Sequence, residues 1–179
     1  MKKPIYLMML TACFALLAAA PARANEESLL EGYWLTENKR AVVEIDDCDG
    51  PNGSESLCGE IHWIIAGGMV YDTKNPDLKK RGRPLCDLDI LWGFRQESTN
   101  SWVEGSIYKA DEGDTYNAQL ELKSPDRLNV RGYVGVPMLG KSQSWTRVNE
   151  RDYAECKEPK EKWVPTAADL KPAKKTVNE

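Results

Sequence analysis

The sequence predicts an all-β chain folded as an eight-stranded antiparallel up-and-down barrel. Three observations predict it. Apolar and polar residues alternate with period two along most of the chain, while helical periodicity is hard to find. Turn-forming clusters such as Glu37-Asn38-Lys39, Asp111-Glu112-Gly113 and Ser124-Pro125-Asp126 separate the alternating runs. Eight such runs follow one another with mostly short connections, and closing them into a barrel removes the exposed edges an open sheet would leave. A two-sheet sandwich is the other arrangement this pattern allows.

The chain begins with a segment that takes no part in the fold. Lys2 and Lys3 precede an apolar run from Ile5 to Ala20, and Ala22-Arg23-Ala24 is a small-residue cleavage signal. Residues 1–24 are therefore expected to be a cleaved export signal, leaving the body to start at Asn25. Leu10-Thr11-Ala12-Cys13 also has the form of a lipidation site, although the apolar run continues past it. Strands are expected near 32–37, 40–46, 59–65, 89–95, 102–109, 115–123, 127–134 and 141–148. The sixth is the plainest, with Tyr116, Ala118, Leu120 and Leu122 alternating with Asn117, Gln119, Glu121 and Lys123. Two segments break the rhythm. Residues 66–88 form a connection too long for a hairpin, and loops of that length are usually functional or disordered. Residues 157–179 are a Lys-, Glu- and Pro-rich tail, expected to be mobile except where Trp163 docks. The barrel domain thus spans 25–156.

Charge and cysteine content narrow the function. The 179 residues carry a net charge of −4, which becomes −7 once the three basic residues of the leader (Lys2, Lys3, Arg23) are removed. An acidic chain is a poor partner for nucleic acid, whose phosphates demand a basic footprint. Past the leader no apolar stretch nears the ~20 residues that span a bilayer, so an integral membrane protein is not expected either. Four cysteines remain after the leader, an even count that in an exported chain reads as two disulfides. Cys48 and Cys58 flank one loop, which pairs them locally and leaves Cys86 with Cys156. A zinc site would need closer Cys spacing and more histidine than His62 supplies. No metal and no cofactor is expected.

Several strings together resemble a secreted bacterial family of lipocalin-like proteins, domain-of-unknown-function family 2147. They include Gly32-Tyr33-Trp34, Cys58-Gly59-Glu60-Ile61, Asp72-Thr73-Lys74-Asn75-Pro76-Asp77 and Arg81-Gly82-Arg83-Pro84-Leu85. Gly105-Ser106-Ile107-Tyr108, Asp114-Thr115-Tyr116, the run from Leu128 to Gly135, and Trp145-Thr146-Arg147-Val148 complete them. The resemblance implies a lipocalin-like barrel and export, and supplies no reaction. In such barrels a Gly-x-Trp on the first strand and a basic residue on the last plug one end. Gly32, Trp34, Trp145 and Arg147 are the corresponding closure residues, with Arg147 stacked on Trp34.

Catalytic patterns are scarce. There is no Gly-x-Ser-x-Gly elbow, and His62, the one histidine, sits in an alternating strand. The acidic stretch Asp46–Gly53, counted as a calcium loop from Asp47, puts Pro51 at position five and Cys58 at position twelve where ligands are needed, and reads as a solvated hairpin tip. The long connection says more. Between Asp72 and Arg83 lie five basic residues and two acids, a local charge of +3. Asp72, Asn75 and Asp77 would shape this loop through Asx-type hydrogen bonds, with Pro76 between the last two. The connection should lie at the barrel mouth, where Arg81 and Arg83 either recognise an anion or brace the loop against the acidic barrel. Trp63, Tyr108, Tyr116, Arg131 and Tyr133 are the further candidates for a ligand-contacting wall. The expected function is non-enzymatic binding of a small, partly apolar or amphipathic anionic molecule in the mouth, in the periplasm or outside the cell. A protein-binding module acting on a periplasmic partner through residues 66–88 is the alternative.

Overall fold

The computed structural model describes residues 29–50, 53–157, 159–167 and 169. The leader, Cys13 and the end of the tail lie outside these residues. Eight strands run β1 Gly32–Leu35, β2 Ala41–Asp49, β3 Glu55–Ile64, β4 Asp89–Ser98, β5 Ser101–Lys109, β6 Asp114–Ser124, β7 Arg127–Tyr133 and β8 Lys141–Val148. Each pairs antiparallel with the next, and β1 pairs with β8 through Tyr33–Val148, Trp34–Arg147 and Leu35–Thr146, so the sheet closes. The fold is the expected barrel, not a sandwich.

Strand lengths differ from the expectation mainly in the second hairpin. β2 and β3 continue their ladder to Asp49–Glu55, several residues past the apolar alternation. The Cys48–Cys58 disulfide ties this polar extension together. The second disulfide, Cys86–Cys156, joins the end of the long connection to the segment after β8.

Inward-facing residues build the core of the barrel. Trp34, Val43, Ile45, Leu57, Leu91, Phe94, Trp102, Ala118, Leu120 and Leu128 form a buried cluster. Phe94 lies directly over Gly105, where a β-carbon would collide with its ring. In an up-and-down barrel the connections alternate between ends. The β2–β3, β4–β5 and β6–β7 connections therefore share the end where β1 begins. The β1–β2, β3–β4, β5–β6 and β7–β8 connections share the other.

Candidate functional site

The two ends are chemically different. At the closed end the Arg147 guanidinium lies 4.2 Å from the Trp34 ring. Its Nε donates to the Pro125 carbonyl at 2.7 Å, Nη1 to Glu31 at 2.5 Å and Nη2 to Leu29 at 2.6 Å. One side chain thus joins β8, the chain entering β1 and the β6–β7 turn. Trp34 Nε1 donates to the Leu30 carbonyl at 2.9 Å, completing the plug. Gly32 has φ +117°, and a β-carbon there would lie 2.9 Å from Arg147 Nη1. Backbone conformation and close approach both require glycine.

At the opposite end the interior is open. One cavity of about 510 Å³ is bounded by Ile61, Ile64, Met69, Leu85, Ile107 and Trp145. A second of about 580 Å³ is bounded by Ile107, Tyr116, Val130, Gly132, Tyr133 and Leu139. Ile107, Lys109 and Gln143 border both, so the two are lobes of one mouth. The walls are mostly apolar, with a polar edge. Glu112 accepts from Lys109 Nζ and, at 2.6 Å, from the Tyr116 hydroxyl. The lysine and the hydroxyl hold the Glu112 carboxyl below its ordinary range. The same carboxylate, with burial, pushes the Tyr116 hydroxyl up to about 12.

This architecture can be set beside known proteins. Residues 32–147 match the family described as an uncharacterized protein conserved in bacteria, DUF2147. The chain belongs to that family. A solved structure, protein HP1028 from Helicobacter pylori, described as belonging to the lipocalin family, superposes with a TM-score of 0.60 at 21% identity. The alignment covers 69% of this chain and 85% of that one, and the likeness is one of fold. No curated protein matches the chain.

The DUF2147 chain distributes its candidate residues unevenly. Tyr108, Tyr116 and Tyr133 border the mouth. Trp63 does not. It packs edge-on against Tyr153 at 5.0 Å, on the side of β3 covered by the C-terminal segment. Arg131 is likewise engaged elsewhere, donating to the Pro137 carbonyl at 2.8 Å, the Met138 carbonyl and Ser142 Oγ. Trp145, expected in the plug, is buried one inward position above Arg147 and forms part of the cavity floor.

The long connection lies at the open end, as its place between β3 and β4 requires, and its motif residues hold it there. Asp72 is completely buried. It accepts from Tyr108 at 2.5 Å, from Asn75 Nδ2 at 2.7 Å and from Arg83 Nε at 2.8 Å. The Arg83 guanidinium also lies over the Tyr108 ring at 5.4 Å. Burial, then the Asp72 carboxylate, raises the Tyr108 hydroxyl above its ordinary range. Asp77 caps a short turn by accepting from Lys79 N, and Pro76 lies between it and Asn75. Arg81, 4% exposed, donates from Nε to the Asn75 carbonyl at 2.7 Å and reaches the Asp169 carbonyl. Trp163 packs on Gly82. Arg81 and Arg83 are thus braces within the loop and for the tail, and neither borders the mouth.

Other groups the sequence raised are accounted for structurally. His62 is buried, with Nε2 3.1 Å from the Tyr153 carbonyl and Nδ1 3.6 Å from Glu44. Tyr33 donates to the other Glu44 oxygen at 2.8 Å. Cys86, Asp87 and Cys156 cluster, but both sulfurs are bonded to each other and offer no thiolate. Two disulfides are consistent with an extracellular or periplasmic location. No helix among the described residues is long and apolar enough to cross a membrane. Sequence reasoning missed Gly132, Val130, Gln143 and the two lysines Lys109 and Lys141 at the second lobe. Gly132 carried a signal: a glycine in an alternating strand leaves interior space where a side chain would stand.

Proposed function

We propose that this chain is an exported, non-enzymatic binding protein that holds one small, partly apolar molecule in the open half of its barrel. The observation that supports this is the mainly apolar lining of the open mouth, whose lobes measure about 510 and 580 Å³, whereas a cavity of about 540 Å³ at the closed end carries Asp47, Glu55 and Arg95 on its wall. Volumes of that order match small-molecule sites, which are concave, mainly apolar and carry a few polar groups. An eight-stranded barrel has room for one such ligand. Tyr116, Glu112, Lys109 and Lys141 supply the polar edge at the second lobe, and Ile107, Val130 and Trp145 supply apolar contact. The leader pattern and the disulfides support export.

Gly132 offers a direct test. A β-carbon there meets Ile107 at 3.5 Å and Tyr116 at 3.7 Å, ordinary contact distances, so a larger side chain would extend into the lobe without straining the strand. Titration with 1-anilinonaphthalene-8-sulfonate should give saturable, one-to-one fluorescence enhancement. Gly132→Leu should weaken it at least ten-fold while leaving the thermal midpoint close to native. Equal binding by both proteins would sink the proposal.

A further inference from the structure

The connection between β7 and β8, residues 134–140, groups four of the exposed large apolar side chains among the described residues. Its sequence is Val134-Gly135-Val136-Pro137-Met138-Leu139-Gly140, without a charge or a polar side chain. Val134 is 71% exposed, Val136 53%, Met138 86% and Leu139 80%. Scattered exposed apolar residues need no explanation, but four on one seven-residue projection do.

The backbone of this projection is unusually self-sufficient. Leu139 N donates to the Val136 carbonyl at 3.2 Å, and Gly140 N to the Pro137 carbonyl at 3.0 Å. Arg131 reaches up from β7 to the Pro137 and Met138 carbonyls. The tip can therefore leave water without stranding these groups, a condition that hydrocarbon imposes strictly. The clamp also holds the loop in its turn, with the apolar side chains exposed. Cations stand at its base, Arg131 on one side and Lys141, near the Glu112 carboxylate, on the other. On the opposite side of the mouth, Ile65 and Val70 are also exposed, and the β3–β4 connection adds Lys74, Lys79 and Lys80.

We infer that residues 134–140 are a membrane-docking loop that seats the open end of the barrel on a lipid surface bearing anionic headgroups. Apolar side chains on a convex tip suit insertion between headgroups better than burial against a flat protein face. The adjacent cations match anionic phosphates there. The inference stands on the loop and not on the identity of any ligand.

The test is co-sedimentation with vesicles of phosphatidylcholine containing 30% phosphatidylglycerol, and with phosphatidylcholine alone. The chain is used as recovered from cells with its N-terminus determined, because an uncleaved leader would itself hold lipid. The native chain should bind the anionic vesicles at least five-fold better than the neutral ones. Met138→Glu/Leu139→Glu should lose at least ten-fold, and Val134→Glu serves as a second variant should that pair disturb the turn. Leu29→Glu, at an exposed apolar position of the closed end, should bind as the native chain does. Failure of the native chain to bind, equal binding by the loop variants, or absence of a preference for anionic lipid overturns the inference. So does concentration-dependent self-association in vesicle-free solution that the loop variants abolish, which would make the loop a contact between copies.

Discussion

Trp34 and Arg147 carry the closed end, and their effects should be coupled. Truncating a fully buried tryptophan removes a large apolar contact area, so Trp34→Ala should cost about 3–5 kcal/mol in denaturant titration. Arg147→Ala should cost less, because its charge gains only part of its interaction energy near solvent. The double variant should fall short of the sum, since either change alone already removes the ring–guanidinium contact. Strictly additive effects would mean that the contact contributes nothing. At the mouth, Glu112 and Tyr116 give a prediction in pH. The tyrosine's raised value means its contribution is complete below about pH 10 and is lost as pH rises through about 12. Glu112, held low, contributes above the ordinary carboxylate range and loses that contribution as pH falls through its depressed value. In Glu112→Gln the Tyr116 hydroxyl should therefore titrate nearer 10, read from its ring-carbon resonances. An unchanged midpoint would show that burial and the neighbouring Asp114 and Asp111 set it.

Among the elements, the long β3–β4 connection shows most clearly where sequence reasoning succeeds and where it stops. Its position at the open end followed from strand order alone. The role of its arginines did not, because counting charges cannot tell which are already engaged. Asp72 is the residue that decides the matter: completely buried, it needs donors, and Tyr108, Asn75 and Arg83 supply them. Asp72→Ala should cost about 1–3 kcal/mol, the range found when buried donors such as those of Tyr108 and Asn75 lose their acceptor. It should also expose the loop to protease before the barrel melts. Arg83→Gln should lower stability and leave probe binding at the mouth unchanged; weaker binding at unchanged stability would return Arg83 to the ligand site. The strands themselves were legible because alternation reports burial directly. The β2–β3 extension was not, since its polar residues pair through backbone and disulfide with no apolar face to announce them.

For the whole molecule, the packed core was legible and the open mouth was not. Trp34, Leu120 and Leu128 declare themselves as core by residue type, whereas a cavity is defined by side chains that fall short of meeting. Ile107 and Gln143 looked unremarkable in sequence for that reason. The Cys86–Cys156 bridge acts at this scale, joining residues 70 apart and fixing the C-terminal segment against the barrel. In the chain-entropy account its loss should cost about 4 kcal/mol, so Cys86→Ala/Cys156→Ala should unfold at markedly lower denaturant with the shape of the transition preserved. The central claim, that the open half is a binding cavity, is tested most directly by methyl-resolved NMR during titration with 1-anilinonaphthalene-8-sulfonate. The account predicts saturable shifts at Ile61, Ile64, Ile107 and Val130, with Ile45, Leu57 and Leu128 of the packed half undisturbed. Shifts confined to Leu29 and the closed end, or spread evenly over the outer surface, would contradict it.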